Sequence, residues 1–321
     1  MFVSESATSY ANFVSSTRSR WVTHHPFWVE ALDNAEGEIG YLVCESDLDG
    51  VVAAASYCDD GDSLVVGVTD PSGVVVADEA EPPDVYAAAL QLATRLEEIA
   101  VQRSRRAVLV KSSAVCAGGV RGLVTPVSLA FDEAGYSQVS RSFYAIEGVE
   151  RAGVLAGVSS RVRSQISSAS RVFVGRCADS EQDVAAVVQM YVAHSGQRGG
   201  HCPFTVDSLT RLSAPALNLA SARLYSSTED TARMLGFSIS VHDQTSAEVF
   251  TWGSLDQAAT AAHLTKFIVA DTIQELAGRG YGVIEYGCRF DGPEYGELTE
   301  FYRRMGGREI PGVWMHKEIA P

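Results

Sequence analysis

The residues best suited to chemistry lie in the last quarter of the chain. Glu285 ends an apolar strand at residues 281–287, where a carboxylate can take a proton from an amine, orient one, or simply pair with Arg289. His263 sits in a long helical stretch, and as a neutral imidazole facing a cleft it can accept a proton. With Lys266 one turn on, it reads equally as part of a helix surface. Tyr286, Arg289 and Tyr295 flank the turn Asp291-Gly292-Pro293. A guanidinium there suits a substrate carboxylate through two parallel hydrogen bonds, though a plain loop has the same composition. Glu248 and Trp252 share one strand. Regular alternation puts both on one face, lining a pocket, and a slip of one residue inverts the assignment. The glycine-rich run at 194–201 can cover an acceptor or only end a helix. Six scattered cysteines form no C-x-x-C pair, so neither a metal ligand set nor a disulfide framework is expected.

These residues need elements to hold them. Residues 249–254 (VFTWGS) read as strand, 256–276 as an unbroken helix, 281–287 (YGVIEYG) as strand and 288–296 as a polar loop, with a short helix closing on 301–307. Strands at 222–227 and 234–241 precede them, after helices at 158–171, 181–194 and 206–212 and a short strand at 172–174. The first half repeats that order. A helix is expected at 23–32, strands at 40–45 and 51–57 around an Asp-Gly turn, and a third strand at 63–69. An amphipathic helix follows over 84–103, where Tyr86, Leu90, Ala93 and Leu96 recur at helical spacing, then a strand at 107–111. No internal sequence identity proves a duplication. A chain of 321 residues with 46% hydrophobic content can bury a large core, and its length favours two domains.

The formal charge of −15 is unevenly spread: residues 1–100 hold 18 Asp/Glu against three Arg, and the remainder is balanced. So acidic a chain is a poor non-specific nucleic-acid binder, because long-range repulsion slows its encounter with phosphates. Two stretches contain bases and no acids: Arg103 to Arg121, and Arg151 to Arg176. Either can hold a phosphate locally or serve as a solvated helix face. The start lacks a basic n-region and an apolar h-region, and no run of about 18 apolar residues occurs, so a cytosolic protein is expected.

The strand–helix–strand–loop–helix order of 249–306 resembles the second half of the Gcn5-related N-acyltransferase (GNAT) fold as found in the Fem-type aminoacyltransferases. Three further stretches carry the likeness: Pro26-Phe27-Trp28 at the start of a helix; Ser159-Ser160-Arg161-Val162-Arg163, a serine with paired bases; and Phe301-Tyr302-Arg303-Arg304-Met305-Gly306, where the family shows Phe-Lys-x-x-Phe-Gly. Tyr302 stands in the lysine's place as a candidate catalytic residue, leaving Arg303 or Arg304 to neutralise the donor. The resemblance implies an α/β (α+β) protein of two tandem GNAT-like domains, each a mixed, mostly antiparallel sheet flanked by helices. The acidic first domain would span 1–147, and the second, 148–321, would hold the donor site. It also implies amide-bond formation at a gap between two central strands, with backbone N–H groups on the donor carbonyl and a helix N-terminus beside its phosphates.

Coenzyme A-using members carry Arg/Gln-x-x-Gly-x-Gly/Ala before that helix. The sequence here is Gln257-Ala-Ala-Thr260-Ala-Ala262, without glycine, and alanine does not open a loop around a pyrophosphate as glycine does. The resemblance therefore points to aminoacyl-tRNA as co-substrate, with Gln257, Arg161, Arg163, Arg303 and Arg304 as donor contacts, no bound cofactor, and the amine of a small molecule or peptide as acceptor. An acyl-coenzyme A-dependent N-acyltransferase and an inactive GNAT-like binding module are the alternatives.

Overall fold

A computed structural model describes residues 1–17, 24–31, 38–46, 50–67, 73–113, 125–147, 153, 155–196, 202–243, 247–255, 261–289 and 296–320. The chain divides into two units: Met1–Ser142 with Ile310–Pro321, and Phe143–Glu309.

In unit 1 the chain runs β1 (Phe2–Glu5), α1 (Ala7–Ser16), α2 (Pro26–Ala31), β2 (Ile39–Ser46), β3 (Gly50–Asp59), β4 (Ser63–Val66), β5 (Val74–Val76), α3 (Pro82–Gln102), β6 (Ala107–Ser113), α4 (Pro126–Glu133) and β7 (Ser137–Glu147), whose first part it holds. The chain's last strand, β13 (Arg308–Glu318), returns to lie antiparallel to β6. Strands β1 to β4 pair antiparallel, and β4 then pairs parallel with β6 over all four of its residues. Parallel neighbours need a crossover, supplied here by α3. Two prolines open that helix, where a missing N–H costs nothing, and Val85, Ala88, Ala89, Leu92, Leu96 and Ile99 bury one stripe of it on the sheet. Burying each large side chain of the stripe contributes about 1.5–3 kcal/mol.

Unit 2 repeats the order with α5 (Ser160–Ala169) ahead of it: β8 (Phe173–Cys177), α6 (Glu181–Gly196), α7 (Val206–Ser213), β9 (Ala220–Ser227), β10 (Met234–His242), β11 (Ala247–Ser254), α8 (Ala261–Gly278), β12 (Val283–Arg289) and α9 (Gly296–Arg304). Its sheet runs β8-β9-β10-β11-β12-β7. Strands β8 to β11 pair antiparallel, and β11 with β12 parallel around α8. Val269, Ala270, Ile273 and Leu276 of α8 pack on Ala247, Val249, Ile284 and Tyr286 of those two strands. Gly280, at φ +99°, closes the helix in the left-handed region that glycine enters without strain.

The expected fold class holds, with differences in the elements. Strands β1, β5, β7 and β13 and helices α1 and α4 were not expected. The third strand of unit 1 stops at Val66, Gly67 turns at φ +84°, and β5 resumes beside β3. The Asp-Gly turn before β3 lies outside the described residues except for Gly50, at φ +73°. The expected helix start at Asp256 also lies outside them. Among the described residues no helix is long and apolar enough to cross a membrane.

One buried group at the end of β10 sets a limit on stability. His242 is fully buried and accepts a hydrogen bond at Nε2 from Arg279 Nη1 at 3.0 Å. Arg279 is paired in turn with Glu275, and Asp243 and Tyr281 flank the imidazole. Burial, then Arg279, lowers its pKa to about 4. The folded value lies below the unfolded one, so this contribution is complete above about pH 6.5 and is lost as pH falls toward 4, by on the order of 3 kcal/mol. Urea unfolding at pH 7.5 and pH 5 should show the wild type losing more stability between the two than His242→Gln; equal losses would contradict the assignment.

Candidate active site

Strand β11 carries the site. On one edge it runs beside β10 throughout, from Ala247 opposite His242 to Ser254 opposite Gly236. On the other edge it meets β12 only at its start, Ala247 opposite Ile284 and Glu248 opposite Glu285. Among the described residues no further pair joins them. From Val249 onward the two strands diverge, and among the described residues no strand pairs with that edge of β11.

A bulge decides which side chains face which way. Thr251 lies opposite Ile239 and Glu248 opposite Val241, so Val249 and Phe250 together oppose the single residue Ser240. Opposed residues share a face. Glu248, Thr251 and Gly253 therefore lie on the face of Val241, Ile239 and Phe237, where Tyr191 of α6 stacks on Phe237 at 5.8 Å. Ala247 and Trp252 lie on the face of His242 and Ser238, where Ser238 Oγ meets Thr272 Oγ1 of α8 at 2.8 Å. The regular alternation expected from the sequence is thus corrected: Glu248 and Trp252 point to opposite faces, because the extra residue resets the period.

The α6 face collects carboxylates and a hydroxyl pair. Glu285, 2% exposed, stands beside the half-buried Glu248 on this face. Residues opposed in this register project their side chains to the same side of the sheet, so the two carboxylates are cross-strand neighbours. Tyr191 is hydrogen-bonded to Thr251, and burial pushes its pKa up to about 12, so it stays a phenol able to donate. The Phe204 and Phe250 rings meet edge-on at 5.3 Å beside them. His194, in the last turn of α6, lies against the backbone at Gly253.

The α8 face collects aromatics and cations. The Trp252 ring lies 6.2 Å from Phe301 and 6.0 Å from Tyr302, both of α9, and Tyr302 lies 5.6 Å from Tyr286 and 5.2 Å from Tyr144. Tyr286, fully buried, donates its hydroxyl to the Tyr302 carbonyl at 2.7 Å, and burial raises its pKa far above the phenol range. Tyr302 is 5% exposed. Expected in substrate contact and catalysis, both tyrosines are core residues here, since Tyr286 follows Glu285 and must face the other way. Around this core Lys266 is half-buried, and its pKa is lowered by burial and then by Arg161 of α5 and Arg304 of α9. Arg304 Nε is 2.8 Å from Glu300, Arg303 pairs with Glu309 at 3.1 Å, and Arg163 donates to the Val158 carbonyl at 3.0 Å.

The expected site residues therefore separate. Glu248 and Glu285 come together; Trp252, Tyr286 and Tyr302 come together on the opposite face; Arg161 and Arg304 flank Lys266. His263 is in the first turn of α8, three residues before Lys266 and so on the same side of the helix. Arg163 and Arg303 are exposed on α5 and α9. Gln257, Tyr295 and the Arg289 side chain lie outside the described residues. The sequence reading missed Tyr191, whose hydroxyl partner is 60 residues away, and passed over Lys266, whose spacing from His263 was the available signal.

No protein-family model matches the sequence, and no curated protein is detectably related to it. Solved structures are similar in fold. FemX superposes with a TM-score of 0.67 at 10% identity over 98% of this chain and 97% of that one. The C-terminal domain of a putative lysylphosphatidylglycerol synthetase from Agrobacterium fabrum gives 0.61 at 13%, over 98% and 92%. A tandem GNAT protein from the clavulanic acid biosynthesis pathway gives 0.59 at 12%, over 98% and 93%. The chain has the tandem GNAT fold. Within that fold the second unit holds the strand β11, its bulge and the side chains that face α6 and α8.

Gly253 offers a direct probe of that geometry. A Cβ there would lie 2.6 Å from Phe237 Cε1 and 2.9 Å from the His194 ring, whereas one at Gly278 would meet nothing within 4 Å. Gly253→Ala should cost about 1–3 kcal/mol through overpacking, and Gly278→Ala should be neutral or stabilising. Urea midpoints measure both; an unaffected Gly253→Ala would contradict the packing of His194 on β11.

Proposed function

We propose that unit 2 transfers an aminoacyl group from a charged tRNA to the amine of a small-molecule or peptide acceptor. The observation that carries the reading is the gap beyond Glu248, with cations on one face of the sheet and carboxylates on the other. The Fem-type sequence pattern and the similarity in fold to FemX support it.

In this reading Arg161, Lys266 and Arg304 hold phosphate oxygens of the tRNA end. Arg, with its fixed fork, suits phosphate geometry, and Lys contributes a point charge. The acceptor enters on the α6 face as an ammonium between Glu248 and Glu285. One carboxylate takes a proton, and the freed amine attacks the ester carbonyl. Backbone N–H groups of β11 stabilise the oxyanion without reorganising. Collapse breaks the ester C–O bond, the proton that the attacking nitrogen gives up passes to the departing ribose oxygen, and the amide is left. Tyr302 and Tyr286 position α9 against β12 and are not proton carriers. His263 is a donor-side residue beside Lys266.

An acyl-coenzyme A donor is the competing reading. A ligand that binds only the native state raises its melting midpoint. Bulk aminoacylated tRNA should raise the midpoint of the full chain and acetyl-coenzyme A should not. Lys266→Met should weaken the tRNA effect and flatten its salt dependence by about one unit of log–log slope. A response to acetyl-coenzyme A alone would favour the competing donor, and silence to both would favour a binding module without transfer activity.

A further inference from the structure

We propose that Trp252 is a specificity-determining residue: its indole closes the α8 side of the divergence between β11 and β12, so that a donor reacting at the end of a long flexible arm cannot lie there. The proposal deepens the aminoacyl-tRNA reading and rests on it for the identity of the favoured donor.

Three observations meet at this side chain. The bulge at Val249 and Phe250 turns Trp252 to the α8 face; without it, the same residue would point to the α6 face. The indole packs on two separate apolar clusters, one with Leu264, Phe267 and Ile268 of α8, the other with Met305 and Tyr302 of the α9 side. Its ring then continues across the divergence, Trp252 to Tyr302 at 6.0 Å and Tyr302 to Tyr286 of β12 at 5.6 Å, with Phe301 stacked alongside at 6.2 Å and 26°. The two strands part in their backbones and are rejoined through rings on this one face.

The two donor chemistries differ in what they need from that space. A coenzyme A thioester carries its carbonyl at the end of the pantetheine arm, which must lie extended along the strand edge to bring the carbonyl to the backbone N–H groups. An aminoacyl ester carries its carbonyl on the ribose itself and can be presented at the mouth of the gap. A ring filling the floor of the channel penalises the first and leaves the second untouched. Selectivity of this kind comes from a clash built against the competitor, without a new contact for the preferred ligand. It also explains why so large an aromatic is tolerated at the centre of the site: half-buried between two clusters, it packs as well as it obstructs.

The test uses the full chain and labelled acetyl-coenzyme A in equilibrium dialysis, with wild type, Trp252→Ala, Trp252→Phe and Phe301→Ala. The expected result is at least tenfold tighter acetyl-coenzyme A binding by Trp252→Ala than by wild type. Trp252→Phe should stay near wild type, since a ring still fills the floor, and Phe301→Ala, which frees the indole to swing, should fall between. Circular dichroism and melting midpoints verify that each variant is folded, and Phe301→Ala keeps the test decisive if Trp252→Ala is not. Equal acetyl-coenzyme A affinity in wild type and the folded variants, whether tight or undetectable, would overturn the proposal. A parallel arm with bulk aminoacylated tRNA keeps the two questions separate. A wild type that ignores charged tRNA while Trp252→Ala captures acetyl-coenzyme A would sink the aminoacyl-tRNA reading and uphold the obstruction.

Discussion

A β-strand inside a sheet must satisfy backbone hydrogen bonds on both edges, and β11 is released from that requirement on one edge beyond Glu248. The rest of unit 2 is arranged around this release. Strand β10 holds the other edge on both sides of the bulge, from His242 opposite Ala247 to Gly236 opposite Ser254. Ala247, Val249 and Ile284 pin the base of the divergence in a core shared with α8. The crossover helix α8 is a consequence of the same arrangement, since parallel neighbours cannot be joined by a tight turn.

The bulge adds the second constraint. By placing two residues against Ser240, it sends Glu248 and Trp252 to opposite faces, which separates a carboxylate side from a cationic, aromatic side. The face under α8 is held rigid by buried polar contacts. Thr272 meets both Tyr225 and Ser238 at 2.9 and 2.8 Å, and Arg223 pairs with Asp271, the residue before Thr272, at 2.8 Å. Buried polar contacts of this kind fix one packing over its alternatives. Unit 1 follows the same plan with different side chains. Its β4 and β5 together occupy the place of β11, β4 pairing with β6 and, among the described residues, β5 only with β3.

Much of this was legible in the sequence where local period and burial agree. Helix α3, with one buried stripe, and strands β9, β10 and β12, bounded by turn residues, announce themselves. Helix α8 was legible as a helix although apolar residues lie on more than one side of it, because Val269 and Ile273 serve one cluster and Leu264 and Ile268 another. Among the elements that were missed, β5 has three residues, and β13 finds its partner β6 some 200 residues away. The facing of the site was illegible for a different reason. A bulge is one residue of slack between two strands, set by how β10 and β11 settle against their helices, and nothing in Val249-Phe250-Thr251 marks it. Tyr302 shows the same limit, since a motif position gives no sign that its ring is enclosed by Tyr144, Tyr286 and Trp252.

A donor that docks on the edge of β11 left without a strand partner beyond Glu248 must change amide hydrogen exchange across residues 249–254. In the free protein, amides pointing to β10 should exchange slowly and those pointing into the gap quickly; adding charged tRNA should slow the second set alone. Uniform protection of all these amides without any ligand would mean that the edge is already closed, and would contradict the account.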